Sequence, residues 1–336
     1  MPTIHFLNVR EGDCSIIQHG TGRVSVIDVC NAKPSQSRES LLEMASAQYA
    51  TRSVNGNFNQ KAHPVNPVAY MQEHAINSIF RFILTHPDMD HLDGITALFA
   101  ESFPQVFWDT NNQKEIDDSS WSSSQYDRAD WDYYRTLRGT NPQANPQRLT
   151  NLSGQNGRYW NEDEHGNRQR GDGITILAPT QELVNGANRT GDYNDCSYVL
   201  LYRAGDKKII FGGDSHDNSW EHILNNWEAE IQDIDLLIAP HHGRDSGRSY
   251  DFLDVLKPSL TFFGNARSEH LAYDAWYRRG LAIVTNNQAN CMIADLSGSL
   301  LNIYVTNETY ARAFAREAGS NTWYDQQFLA WYLRSV

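Results

Sequence analysis

No run of 18 consecutive apolar residues occurs in the 336-residue chain, and mean hydropathy is −0.59, so no membrane-spanning helix is expected. The amino terminus, Met1-Pro2-Thr3-Ile4-His5, lacks the basic and apolar segments of a secretory leader, which makes the cytoplasm the expected location. Cysteine is sparse. Cys14, Cys30, Cys196 and Cys291 are scattered without a C-x-x-C pair, which speaks against a zinc knuckle or disulfide framework and for buried free thiols. Positive charge is scarce too: 28 Lys and Arg face 41 Asp and Glu, a net charge of −13. Such a surface repels polyanions and argues against a broad, non-specific nucleic-acid groove. It leaves room for a phosphate at a local site, where divalent cations would reverse the sign set by clustered carboxylates. No internal repeat stands out.

What is present is a globular composition, 40% hydrophobic with 9 Trp, 16 Tyr and 13 Phe. The length suits one α/β domain with insertions, or two small ones. Residues 4–9, 14–19 and 24–29 read as an antiparallel meander. A helix is expected over 38–49, a loop over 51–66, a helix from Pro67 and a buried strand at 79–84. Further strands are expected at 174–178, 197–202, 208–211, 235–239, 261–263 and 282–284, with a closing hairpin over 292–305. Residues 105–172 are rich in Asn, Gln, Ser, Asp and Arg yet interleaved with Trp and Tyr, unlike a linker. They read as an insertion, either forming a wall of the active site or making a surface excursion. Residues 1–309 are thus expected to form the catalytic domain and 310–336 a helical extension.

Chemistry concentrates where apolar strands end. Phe82-Ile83-Leu84 gives way to Thr85-His86-Pro87-Asp88-Met89-Asp90-His91-Leu92-Asp93-Gly94, which places four candidate ligands, His86, Asp88, Asp90 and His91, on one short turn. Alternation lets His86, Asp88 and Asp90 point at a common space, while adjacent Asp90 and His91 would serve a neighbouring position, together the layout of a dinuclear site. The alternative is a polar turn in which Asp90 or Asp93 caps the next helix. Ile209-Ile210-Phe211 ends in Gly212-Gly213-Asp214, whose glycines allow close backbone approach. A third strand, 234–239, ends in Pro240-His241-His242-Gly243.

Together, Thr-His-Pro-Asp-Met-Asp-His-x-x-Gly, Gly-Gly-Asp and His-His-Gly resemble the metallo-β-lactamase fold. Within it the pattern is similar to the hydrolase domain of ComEC-type DNA-uptake competence proteins and their free-standing relatives. Phe6 to Cys14, Ile27-Asp28 and Asn194 to Leu200 are similar to further segments of that branch. The resemblance covers roughly residues 4–30, 66–100 and 174–305, and implies an αββα sandwich of two mixed β-sheets flanked by helices. It implies that His86 and Asp88 bind one metal, Asp90 and His91 a second, that Asp214 bridges both and that His241 completes the second. His242 is the competing ligand, or else an acid near the leaving group. Asp88 stands where the broader fold has His, so the first ion would be the more loosely held. Arg244 stands where the branch has Ser, and would hold a phosphate oxygen or pair with Asp245.

The chemistry expected of such a site is attack by a hydroxide bridging two divalent ions, Zn or Mn, with Asp90, Asp214 and His242 as the catalytic side chains. Asn194 and Ser197 would hydrogen-bond substrate, or cap a strand turn. The expected function is a metal-dependent phosphodiesterase or nuclease acting on DNA or a nucleotide. Its rivals are hydrolysis of another ester, lactone or amide, and a partner-controlled effector or non-catalytic binding module. Nucleic acid and a protein partner remain open as partners, a membrane does not, and oligomeric state is undetermined.

Overall fold

Strands whose apolar side chains alternate between two buried faces set the architecture. In strand Lys207–Phe211, Ile209 and Phe211 enter the central hydrophobic cluster while Ile210 enters an outer one. Strand Arg81–Ile83 divides likewise, with Ile83 in the central cluster and Phe82 in a second outer layer. A strand buried on both faces needs a sheet on one side and helices on the other.

The computed structural model describes residues 1–32, 53–54, 56–139, 144–167, 171–266 and 270–336; the expected helix at 38–49 lies outside them, as does part of the 51–66 loop. One sheet runs Tyr324–Asp325, Ala330–Ser335, Asn302–Val305, Met292–Asp295, Thr3–Phe6, Ser15–Gln18, Val24–Ile27, Arg81–Ile83, Val106–Trp108 and Gln147–Leu149. Pairing is antiparallel as far as Val24–Ile27 and parallel beyond it. The second sheet runs Ile283–Thr285, Leu260–Phe263, Leu236–Ile238, Lys207–Phe211, Val199–Ala204 and Ile174–Ala178; the first four strands are parallel and the last two pair antiparallel. Ile4, Phe6, Ile17, Ile83 and Trp108 of the first sheet share a core with Ile176, Leu200, Ile209, Phe211 and Phe262 of the second. Trp131 and Tyr134 of helix Arg128–Arg138 cover the first sheet's outer face, with Ile95, Leu98 and Phe99 of helix Ile95–Ser102. Trp220, Phe252 and Trp276, from helices Asp217–Ile231, Phe252–Leu256 and Tyr273–Tyr277, cover the second. This is the αββα sandwich of two mixed sheets. Among the described residues no helix is long and apolar enough to cross a membrane, and all four cysteines are buried and free.

Two expectations need correction. The stretch 105–172 is not an excursion throughout, because its ends supply the parallel strands Val106–Trp108 and Gln147–Leu149. The expected helical extension at 310–336 is helical only to Ala318. Gly319, at φ 62°, stops it in the left-handed conformation. Tyr324–Asp325 and Ala330–Ser335 then form a hairpin on the edge of the first sheet. Aromatic side chains in 330–335 fit a pleated, half-buried surface as well as a helix face.

At the strand starts, the two layers are tied by charge. Buried Arg81 donates through Nη2 to Asp172 Oδ2 (3.1 Å) and through Nη1 to Ser25 Oγ (2.8 Å). Asp172 also takes Arg23 Nη2 at 2.8 Å and the Thr21 hydroxyl at 2.6 Å. Removing one partner of such a pair strands the other's charge. Asp172→Ala is therefore expected to lower unfolding free energy by about 3–5 kcal/mol in urea melts, with part of the loss recovered when Arg81→Met is added.

Candidate metal centre

Strand Arg81–Ile83 delivers the first group of polar side chains. Leu84 N–H bonds Trp108 O at 2.9 Å and Tyr198 N–H bonds Thr85 O at 3.0 Å, so the strand's exit is pinned to both sheets. Asp88 follows in extended conformation and Met89–His91 forms one tight turn. The next helix is capped from elsewhere: Asp130 accepts Gly94 N–H at 2.8 Å and Thr96 N–H at 3.0 Å. Capping therefore does not account for Asp90.

Asp214 arrives through Gly213, whose φ is 51° and where an added Cβ would lie 2.8 Å from Tyr198 O. Its N–H bonds Ser197 Oγ at 3.2 Å. Ser197 thus holds the Asp214 backbone. Asn194 sits half-buried in the preceding turn, its carbonyl accepting Ser197 N–H. The third strand end turns sharply, with His241 at φ 53° and His242 at φ 58°. Two consecutive bulky residues in left-handed conformation cost on the order of 1–3 kcal/mol each, strain of the kind that gathers at functional sites.

These ends converge on the Asp214 carboxylate. Oδ1 lies 3.3 Å from His91 Nε2 and 3.8 Å from His242 Nε2. Oδ2 lies 3.5 Å from His241 Nε2 and 3.8 Å from His86 Nε2. Asp90 Oδ2 joins the first side, 3.6 Å from His242 Nε2 and 4.0 Å from His91 Nε2. Asp88 Oδ2 joins the second, 3.8 Å from His86 Nε2. His241 thus faces the His86 side of Asp214, away from the Asp90 and His91 side to which the resemblance assigned it. His242 occupies that place.

The residues present fit a cation. His86 Nε2, His91 Nε2, His242 Nε2 and Asp214 Oδ1 are buried without a hydrogen-bond partner. Each such atom costs about 1–3 kcal/mol, a cost that coordination to a cation would relieve. Asp90, His91 and His242 each offer a ligand atom within 4.8 Å of the others, as do His86, His91 and Asp214. Carboxylates set two of the rings from behind. Asp28 Oδ2 lies 2.8 Å from His91 Nδ1 and also accepts the Thr85 hydroxyl at 2.7 Å; Asp13 Oδ1 lies 2.9 Å from His242 Nδ1. A carboxylate on the far nitrogen aims Nε2 and its lone pair inward.

Charges inside the cluster answer one another. Burial favours a neutral Asp214, but His91, His242, His241 and His86 hold its carboxyl well below the usual range. Burial opposes charge on His242, yet Asp13 and Asp214 lift it to about 10. Burial is likewise outweighed at His91, where Asp214, Asp28 and Asp90 raise the pKa well above the ordinary value. His241, by contrast, is pushed down to about 3, chiefly by burial.

Two cations that the sequence reading did not single out stand at this centre. Lys114, from within the 105–172 stretch, brings its Nζ onto Asp88 Oδ1. Arg248, buried, places Nη2 2.8 Å from His241 Nδ1. Arg244 is expected from the sequence to hold a phosphate oxygen or pair with Asp245. Its field reaches His241, but the guanidinium bonded to that ring is Arg248's, and no ion pair joins Arg244 to Asp245. Lysine in a polar stretch carries no signal of its own; Arg248, four residues past Arg244, is visible only once the turn is folded.

No protein-family model and no curated protein matches the sequence. The structure is similar to CmlA, a diiron beta-hydroxylase from Streptomyces venezuelae, with 11% identity over 84% of this chain and 52% of that one (TM-score 0.43). It is similar to Igni18, a metallo hydrolase from the archaeon Ignicoccus hospitalis, with 10% identity over 84% of this chain and 94% of that one (TM-score 0.44). It is also similar to a diphosphatase of the PhnP family, with 12% identity over 85% of this chain and 94% of that one (TM-score 0.39). The chain spans about half the length of CmlA. Likenesses this distant carry no argument about activity. The layering itself, two mixed sheets face to face with polar side chains gathered where strands of both end, is the αββα sandwich that the sequence resemblance implied.

The raised His91 and His242 values set a proton balance. The raised values favour protonated rings, so a cation has to displace those protons and its affinity is expected to rise with pH. Calorimetric titration with Mn²⁺ in buffers of different ionisation enthalpy is expected to show release of about two protons per site at pH 7. Asp13→Asn and Asp28→Asn are each expected to weaken binding about 10- to 100-fold.

Proposed function

We propose that this chain is a metal-dependent hydrolase of phosphodiesters in DNA or a nucleotide. The observation that carries the reading is the convergence of unpartnered His86, His91 and His242 nitrogens on the Asp214 carboxylate. Asp90, His91, His242 and Asp214 would hold a divalent ion, with His86 and Asp88 on the far side of Asp214. Carboxylates among the ligands suit Mn²⁺ and do not exclude Zn²⁺. Such ions supply Lewis-acid polarisation and lower the pKa of coordinated water.

The chain's own residues do the rest. Asp28 fixes the orientation of His91 by a hydrogen bond, and Asp13 lies at ion-pair distance from His242 Nδ1. Ser197 fixes the Asp214 backbone. Lys114 and Arg248 stand at the site, and Arg244 close by, in a chain whose net charge is −13. Positive side chains gathered against that background suit an anionic ester, and Arg244 is the one to meet a phosphate oxygen bidentately. The acidic remainder favours a nucleotide or short single strand over a long duplex. The resemblance to DNA-uptake hydrolases supports the same substrate class.

Purified protein is expected to hydrolyse bis-p-nitrophenyl phosphate and short single-stranded DNA with Mn²⁺ or Zn²⁺. Asp90→Ala and Asp214→Ala should each fall to background while circular dichroism stays native. Turnover of a lactone or carboxylic ester, with no phosphodiester cleaved under either metal, would replace this reading with the rival hydrolase.

A further inference from the structure

The two sides of Asp214 are not equivalent. On the side of Asp90, His91 and His242, both rings have a carboxylate at Nδ1, at 2.8 Å for His91 and 2.9 Å for His242. On the other side His86 Nδ1 meets the Thr85 hydroxyl at 3.2 Å, and the partners of His241 and Asp88 are cations. His241 Nδ1 receives Arg248 Nη2 at 2.8 Å, with Ser246 Oγ at 3.3 Å. A guanidinium has only donors, so this Nδ1 must be the acceptor. A neutral imidazole that accepts at Nδ1 carries its proton on Nε2, and an Nε2–H has no lone pair for a metal. Arg248 is itself fixed, donating to Ser215 O and to Ser246 Oγ.

Asp88 is engaged as well. One carboxylate oxygen faces His86 Nε2 at 3.8 Å, while the other carries the Lys114 ammonium. The lysine's backbone is anchored: its N–H bonds Asn112 Oδ1 at 3.2 Å and its carbonyl accepts Arg138 Nη1 at 2.7 Å. Its Nζ also lies 5.6 Å from the Tyr193 ring centroid. A fixed ammonium on the Asp88 carboxylate repels a dication between Asp88 and His86.

We infer that the centre holds one metal ion, among Asp90, His91, His242 and Asp214, and that its other half is an oxyanion-binding half in which Lys114 replaces the second ion and His241 donates through Nε2–H. Arg248 is then a positioning residue that sets the His241 tautomer. The oxyanion role rests on the proposed function; the count of one ion does not.

The test is titration of the full-length, metal-free protein with Mn²⁺, followed by calorimetry and metal analysis of the loaded protein. Wild type is expected to take one equivalent and Lys114→Met two. His242→Gln should lose the ion, and His241→Gln should keep it. Inorganic phosphate is then titrated into protein loaded with one equivalent. His241→Gln and Arg248→Gln should each weaken phosphate binding about tenfold or more without changing the metal count, as loss of a hydrogen bond to a charged acceptor predicts. Two equivalents in wild type would overturn the inference and leave the proposed function standing. So would a single equivalent in Lys114→Met, loss of Mn²⁺ from His241→Gln, or phosphate binding indifferent to His241→Gln. No Mn²⁺ uptake by wild type would overturn both.

Discussion

A single buried carboxylate constrains the rest of the site. Asp214 is 3% exposed, and four imidazoles surround it. A carboxylate held this deep is tolerated only if opposite charge or donors reach it. The surrounding carboxylates favour such charge on His91 and His242, whose pKa values are raised by Asp214 itself and by Asp28 and Asp13. A cation takes over the same role. The cluster is therefore balanced in either state, which lets the fold hold a binding site without requiring the ion to build it.

Delivering four rings to one carboxylate demands strand ends from both sheets at a common edge. The parallel pairing of Arg81–Ile83 with Val106–Trp108, and of Lys207–Phe211 with Leu236–Ile238, provides this, because parallel neighbours all end on one side. Tyr198 N–H to Thr85 O ties the two edges across the sandwich, and His241 N–H to Gly213 O (2.8 Å) ties neighbouring turns. The left-handed turn at His241 and His242 is strained, and continuous burial of the strands on both faces offsets it. Gly243 belongs to the same device, since a Cβ there would lie 2.4 Å from the Phe263 ring.

What the sequence made legible follows from this arrangement. A polar side chain that follows an apolar strand immediately stands out, so the convergence of His86, Asp88, Asp90, His91, Asp214 and the His241-His242 pair could be anticipated, as could the two-sheet class. The division of labour within the pair could not, because it is decided by Asp13 and Arg248 at the far nitrogens, and neither has a spacing that announces it. Lys114 is invisible for the same reason. The strands Val106–Trp108 and Gln147–Leu149 are three residues each, too short to show alternation amid polar neighbours. The C-terminal hairpin was missed because Trp and Tyr at mixed spacing suit helix and strand alike, although Gly319 offered a stop signal.

The acidic surface and the cations at the centre act at different ranges. At physiological ionic strength charges more than about 8 Å apart are largely screened. A single phosphodiester at the centre therefore responds to Lys114, Arg244, Arg248, the imidazoles and any bound ion, and hardly to the remaining acidic side chains. A long duplex extends over many such lengths and meets the acidic surface along its flanks. On the proposed function, the same net charge of −13 that argues against a polyanion groove would act as a filter on substrate length while leaving the chemistry of one ester untouched. An arrangement of this kind needs its positive groups buried or pinned, as Arg248 is by Ser215 and Ser246 and Lys114 by Asn112 and Arg138, because a mobile surface lysine would be neutralised by its acidic neighbours.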